Sequence, residues 1–314
     1  RQGLAGGDDG KIYFSNDMPS GTETAVYFAI NDLPGAPTET AVKITVHRFA
    51  TGAISGIILS SEGDLYSIHR NAGSATFAIA AVTTGVSGPE FVDLTFDLAD
   101  ARIYAYDNLQ DKVHKMNLSA TTPVSATSAY STAATGIVAI DAIAVSNGRI
   151  TIVGDYGEIT TTNSLSGGGS LSTWSQRKNL QATPINEISY SAGAHMAVGE
   201  NGLVMYYGTG GIWTIKKRST IADLYAAKTV GSMELVAGSN GYAQTMTTSA
   251  NGAPLMTVSG VPVSTLLPDV RLRAIATDGN NTYIVGSNGT VLYSPNPATT
   301  AFNSTSGTYQ HDFY

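Results

Sequence analysis

The chain has 314 residues, of which 42% are hydrophobic and 13% charged, with a formal net charge of −7 and no cysteine. That charge content is well below the roughly 25% of an ordinary soluble domain, and the basic clusters Lys216-Lys217-Arg218 and Arg177-Lys178 are too short to neutralise a run of phosphates, which argues against a nucleic-acid partner. No stretch approaches the ~20 continuous apolar residues of a membrane helix, so insertion into a bilayer is not expected, and disulfides are not used.

Taken in chain order, the first signal is Gly6-Gly7-Asp8-Asp9-Gly10, which closes a strand with no partner strand before it. Two strand-like runs follow, 25–30 and 41–49, separated by the Pro34-Gly35-Ala36-Pro37 loop; one is read as the outer strand of the first unit and the other as an extra strand. Strands rich in β-branched and aromatic residues then recur at 54–59, 91–96, 140–145, 185–190, 221–228 and 270–277. Each is read as an inner strand ending in a tight turn, at Glu62-Gly63, Ala99-Asp100, Asn147-Gly148, Ala192-Gly193, Val230-Gly231 and Asp278-Gly279. Residues 164–172 are read as a flexible loop between strands, and no helix longer than a turn or two is expected.

After the second strand of a unit comes a recurring phrase, an apolar residue, Gly, two further residues and Gly. It stands at Val153-Gly154-Asp155-Tyr156-Gly157, Val198-Gly199-Glu200-Asn201-Gly202, Ala237-Gly238-Ser239-Asn240-Gly241 and Val285-Gly286-Ser287-Asn288-Gly289. The closing glycines 157, 202, 241 and 289 are 45, 39 and 48 residues apart, and Gly10 lies 147 before Gly157, or three strides of 49. A stride in the forties built of strands is one propeller blade. Asn-Gly is the strongest two-residue hairpin signal, because both central residues need positive φ.

The expected fold is therefore all-β, a seven-bladed β-propeller of four-stranded antiparallel blades in one domain over 1–314. The blades fall roughly at 1–50, 51–88, 89–134, 135–180, 181–219, 220–265 and 266–314. The incomplete first blade predicts that residues 307–314 supply its missing inner strand, pairing the two chain ends and removing an open edge. The chain starts with Arg1 rather than Met, from which processing of a longer product is expected.

At the repeat phrase, best over residues 150–294, the sequence resembles the bacterial-neuraminidase-repeat propellers and more closely their branch of photosystem II stability and assembly factors. There apolar-Gly-x-x-Gly-x-apolar is followed by Ser-x-Asp-Gly-Gly-x-x-Trp. Here the phrase at 153–159 is followed by Gly167 to Trp174, and that at 198–204 by Gly208-Thr209-Gly210-Gly211-Ile212-Trp213. The aspartate box is intact nowhere, its nearest remnants being Ser15-Asn16-Asp17 and the two turns that end in Trp174 and Trp213. The resemblance implies fold rather than chemistry, since that box stabilises a turn.

Sialidase chemistry, which the wider resemblance brings to mind, uses three convergent arginines, a Tyr nucleophile and Glu and Asp partners. The chain has nine arginines but no Arg-Ile-Pro near its start, and no catalytic set is assigned. His47, His69, His114, His195 and His311 lie far apart, without metal-ligand spacing. The turns Asp8-Asp9 and Asp107-Asn108 with Asp111 are oxygen-rich enough for Ca²⁺ but lack the alternation of a calcium loop; turn capping is the preferred reading, and no metal or cofactor is assigned.

One constellation stands out. Asp93, Asp141, Glu187 and Asp223 fall at the start of successive inner strands, with Arg273 at the matching place in the last. In a propeller they would form an acidic arc at one mouth of the central channel, able to hold a cation, ordered water or a basic group of a partner; the plainer alternative is that each accepts hydrogen bonds from loop N–H groups. Trp174, Tyr206, Tyr207 and Trp213 form a second candidate, an aromatic platform for sugars, set against plain packing between blades.

With no reaction spelled out, the expectation is a non-enzymatic structural or interaction propeller, extracellular on a virion or microbial cell surface, that binds a protein or glycan through its loops and can assemble into a larger particle or filament. A glycan-acting hydrolase or lectin of sialidase-like type, and an assembly-factor-like chaperone, are the alternatives.

Overall fold

In a computed structural model the chain is described at residues 3–6, 11–15, 28–33, 39–74, 76–97, 100–130, 139–146, 149–162, 174–178, 183–191, 194–207, 213–215, 220–230, 233–248, 254–258, 269–277, 281–297 and 302–304. These residues form antiparallel sheets whose strands follow one another in chain order. The first sheet has three strands, Gly3–Gly6, Lys11–Ser15 and Phe28–Asp32. Six four-stranded sheets follow.

The second sheet comprises Ala41–Arg48, Ile54–Ser60, Leu65–Arg70 and Ala78–Ala81, and the third Phe91–Asp97, Arg102–Asp107, Lys112–Asn117 and Ser128–Tyr130. The fourth comprises Ile140–Ser146, Arg149–Gly154, Glu158–Thr162 and Trp174–Lys178, and the fifth Ile185–Ser191, Ala194–Gly199, Val204–Tyr207 and Trp213–Ile215. Leu224–Val230, Met233–Gly238, Ala243–Thr248 and Pro254–Val258 make the sixth, and Leu272–Thr277, Thr282–Gly286, Thr290–Ser294 and Asn303–Ser304 the seventh.

The second to sixth sheets are apolar on both faces because each is packed against a neighbour on both sides. Ile150 and Ile152 join Tyr104, Tyr106 and Val113 in a core between the third and fourth sheets, while Val153, from the same strand, joins Ile188, Ala197 and Met205 between the fourth and fifth. Alternate residues of one strand thus serve two different cores. The strand Ile54–Ser60 is buried along its whole length, so it reads as a continuous apolar run rather than an alternating one. Equivalent cores join the first sheet to the second, the second to the third, the fifth to the sixth and the sixth to the seventh. At about 25 cal/mol per Å², this burial is the main stabilising term.

The repeat phrase is a hinge between neighbouring sheets. In the fifth sheet Asn201 and Gly202 have φ of 52° and 70°, and the Leu203 N–H donates to the Glu200 carbonyl at 3.0 Å, a type I′ turn. The first glycine of the phrase has another reason: a Cβ on Gly199 would lie 2.0 Å from the Pro184 carbonyl oxygen, because the chain leading into the inner strand crosses there and accepts the Glu200 N–H at 3.1 Å. The closing glycine reaches the next sheet, with the Gly202 N–H donating to Ala222 O and that of Gly241 to Val270 O, both at 2.8 Å.

The second sheet departs from the sequence reading. Ala41–Arg48, expected to belong to the first unit as its outer or an extra strand, is the first strand of the second sheet, and Ile54–Ser60, expected to be the inner strand, is its second; the sheet therefore runs across the break expected near residue 50. Glu62-Gly63 joins the second and third strands, so Ser60-Ser61-Glu62-Gly63 is a further copy of the repeat phrase with serine in the first glycine's place. Gly63 keeps the positive φ, 82°, and the Ser61 N–H still reaches the incoming chain at Thr40 O, 2.8 Å. Residues 307–314, expected to close the first blade, and the loop 164–172 lie outside the described residues.

Candidate functional site

The first strands of the second to seventh sheets surround a cavity of ≈ 950 Å³. Every one of these strands carries an irregularity one residue after its start, between Ala41/Lys43, Phe91/Asp93, Ile140/Ala142, Ile185/Glu187, Leu224/Ala226 and Leu272/Ala274. A bulge re-aims side chains, and here it separates two positions. Asp141 and Arg273 occupy the bulged residue, whereas Lys43, Asp93 and Glu187 follow it.

The expected single register of five side chains is thus corrected to two levels and an outlier. Asp93, Asp141, Glu187 and Arg273 border the cavity. Asp223 lies before the strand Leu224–Val230, where its Oδ1 accepts the Asn201 N–H of the preceding sheet at 2.9 Å and its own N–H donates to Ser239 Oγ at 3.0 Å. Its work is to cap a turn, the plainer of the two roles weighed for it. The physical reason is position: Asp223 stands before the strand begins, where its side chain meets the turn of the preceding sheet instead of the cavity.

The acids that do meet are filled from within. Lys43 Nζ lies 2.6 Å from Asp93 Oδ1 and 3.5 Å from Glu187 Oε2, joining the second, third and fifth sheets. Asp93 Oδ2 also accepts the Ile143 N–H at 2.8 Å, and Glu187 Oε1 that of Ile188 at 2.8 Å. The Lys43 side chain is 31% exposed and that of Asp93 5%. Burial opposes the Lys43 charge, but Asp93 and Glu187 outweigh it and hold the ammonium well above the usual lysine range. Burial pushes the Glu187 carboxyl up, against the pull of Lys43 and with the repulsion of Asp93. Lys228, facing the same cavity, is pushed down by burial, with Glu187 opposing and Lys43 adding to the effect.

Lys43 and Lys228 were not among the sequence candidates. Lys43 stood in a run assigned to the first unit; its legible trace was a lone lysine in the apolar stretch Ala41–Arg48. Asp107 accepts the N–H groups of Glu90, Leu109 and Gln110 at Oδ1, at 3.2, 3.1 and 3.3 Å, and Asp111 accepts the Tyr106 hydroxyl. Asp107 thus caps its own turn and ties it to the chain at Glu90.

The aromatic candidates separate by strand parity. Tyr206 is buried against the sixth sheet, its hydroxyl donating to Met196 Sδ at 3.0 Å, so it cannot share a platform with its neighbour Tyr207. Tyr207 and Trp213 do meet, with ring centroids 5.4 Å apart, and His195 joins them. Trp174 lies on the outer strand of the fourth sheet opposite Thr162; its side chain lies outside the described residues.

No protein-family model and no curated protein sequence matches the chain. Solved structures do. The chain is similar to YCF48 bound to D1 peptide, at 14% identity and a TM-score of 0.60, covering 88% of this chain and 83% of that one. YCF48 from Cyanidioschyzon merolae matches at 11% identity and a TM-score of 0.57 over 85% and 87% of the two chains. The C-terminal WD40 domain of Sif2 matches at 12% and 0.54, over 92% and 76%. At such identities the likeness is one of fold, and the chain is an all-β protein of β-propeller architecture.

Proposed function

We propose that this chain is a non-catalytic interaction propeller whose seven sheets are the seven blades of one domain, closed by residues 307–314 beside the strand Gly3–Gly6. Its loops recognise a protein partner, and its place is the surface of a virion or microbial cell. The surface assignment draws on composition: low charge, no cysteine and abundant small residues. YCF48, a protein of similar fold, is known in a complex with a D1 peptide, which supports a protein as partner.

The observation that carries the non-catalytic reading is the pairing of the cavity acids. A general acid or nucleophile needs a carboxyl group open to substrate, whereas Asp93 and Glu187 are held by Lys43 and by backbone N–H groups. Arg273 is the arginine bordering the cavity among the described residues, where a sialidase would need three.

The test joins two measurements on the purified chain. Fluorogenic sialosides and hexosides are expected to show no turnover above that of the Glu187→Gln variant, and chemical cross-linking in extracts of the native source is expected to yield a saturable protein partner joined through the loops. Turnover abolished by Asp93→Asn or Glu187→Gln would overturn the reading.

A further inference from the structure

Away from the axial cavity, one row of side chains crosses the whole fifth sheet. Tyr190 pairs with His195, His195 with Tyr207 and Tyr207 with Trp213, one residue from each of the four strands. Directly opposed residues share a face, and this face is the one turned to the fourth sheet, since Ile188, Ala197 and Met205, two residues along in the same strands, belong to the core between the two sheets. Ring centroids step along the row at 5.0 Å from Tyr190 to His195, 5.8 Å to Tyr207 and 5.4 Å to Trp213. Tyr190, Tyr207 and Trp213 are half-buried, so the row lines the fifth-sheet side of the seam between the two sheets.

The opposite side supplies a charge. Arg149 begins the second strand of the fourth sheet, and Val153, four residues on and so of the same parity, lies in the core shared with the fifth sheet; Arg149 therefore projects toward the row. It is exposed and has no ion-pair partner among the described residues. Burial, with the Arg149 charge adding, pushes the His195 imidazole down to about 4, so His195 is neutral at ordinary pH.

Two polar atoms of the row have no hydrogen-bond partner among the described residues. His195, 3% exposed, leaves Nδ1 without a hydrogen bond, and Trp213 leaves its Nε1–H unused. Buried polar atoms are usually paired, and what sets these two apart from the other unpaired atoms is that they lie in one aromatic row, where a ligand's polar rim would satisfy both. A pyranose offers what the row lacks: a C–H face to lie on aromatic rings and hydroxyls at its edge to meet ring nitrogens. Arg149 adds the requirement of an anionic group, for which a guanidinium is suited by its paired donors.

We propose that the seam between the fourth and fifth sheets forms a cleft that binds an acidic saccharide, its ring on Tyr207 and Trp213 and its carboxylate on Arg149. The site is independent of the protein-binding role and of the axial cavity.

The chain has two tryptophans, so in a Trp174→Phe background the emission of Trp213 reports the cleft alone. The titrants are a glucuronate-containing trisaccharide, the neutral glucose trisaccharide and benzoate. The glucuronate sugar is expected to shift and quench the emission, with the neutral sugar at least tenfold weaker. Arg149→Ala, a change at an exposed residue, should cost the acidic sugar at least tenfold and leave the neutral one within twofold, while Tyr207→Ala should weaken both. Equal affinity for the two sugars, an unchanged acidic-sugar titration in Arg149→Ala, or no response to either sugar would overturn the proposal; so would benzoate binding as tightly as the glucuronate sugar, which would assign the cleft to aromatic carboxylates.

Discussion

Replacing Lys43 by methionine removes the cation that holds Asp93 and Glu187 together across the cavity. Breaking a buried ion pair by deleting one partner costs about 3–5 kcal/mol, because the remaining charge is left uncompensated. The Lys43 side chain is 31% exposed, and water reaching the site reduces the expected loss to about 2–3 kcal/mol. Part of that loss should return when the acids are neutralised as well, so Lys43→Met/Asp93→Asn/Glu187→Gln is expected to be more stable than Lys43→Met alone. Urea unfolding followed by circular dichroism, arranged as a double-mutant cycle between Lys43→Met and Glu187→Gln, should give a coupling energy above about 1 kcal/mol. These two residues are 144 positions apart and three sheets removed, so they couple only if the sheets curve around a common axis. Additive effects within about 0.5 kcal/mol, the ordinary result for distant sites, would refute the bridge and the curvature it reports.

Other outcomes follow from the same geometry. Gly238→Ala places a Cβ 2.0 Å from the Asp223 carbonyl oxygen, and a loss of about 3 kcal/mol is expected; a melting temperature unchanged from wild type would show that the close approach is not rigid. Burial pushes the Glu234 carboxyl from 4.5 up to about 7, with the Thr229 hydroxyl working the other way. Its pKa is higher folded than unfolded, so stability is lost as pH rises from about 4.5 through about 7, by about 3 kcal/mol in all; Glu234→Gln should lack this decline in unfolding titrations at pH 5 and pH 8, and parallel slopes for variant and wild type would contradict it. Asp223→Ala removes the acceptor of the Asn201 N–H and is expected to cost about 1 kcal/mol in urea titration, without altering the Lys43–Glu187 coupling.

Much of the fold was legible because its turn chemistry is strict. The phrase around Gly199 and Gly202 combines a backbone approach that excludes a Cβ with a turn that needs two positive φ values, and few residues satisfy both. The second sheet was misread where Ser60 replaces the first glycine: the turn survives, but its signature does not, so Gly63 passed for the tip of an inner hairpin. The site was less legible for two reasons. The bulge after the first residue of every inner strand shifts side-chain parity by one, and spacing from the turns does not reveal it; this separated Asp141 and Arg273 from Asp93 and Glu187, while Asp223 stands outside because it precedes its strand. Lys43 was hidden because a charged residue that neutralises buried acids carries no motif of its own, only the oddity of a lysine in an apolar strand. In the aromatic platform, alternation along Val204–Tyr207 suffices to divide Tyr206 from Tyr207, whereas the partnership of His195 and Tyr190 depends on cross-strand register that the sequence does not spell out.

The most direct test of the central claim is an electron-density map of the crystallised protein viewed along the axis of the cavity. It is expected to show seven wedge-shaped sheets in one closed ring, with the ammonium of Lys43 lodged between the carboxylates of Asp93 and Glu187. Two separate lobes, an open arc, or acids lining an empty channel with Lys43 turned to solvent would contradict it.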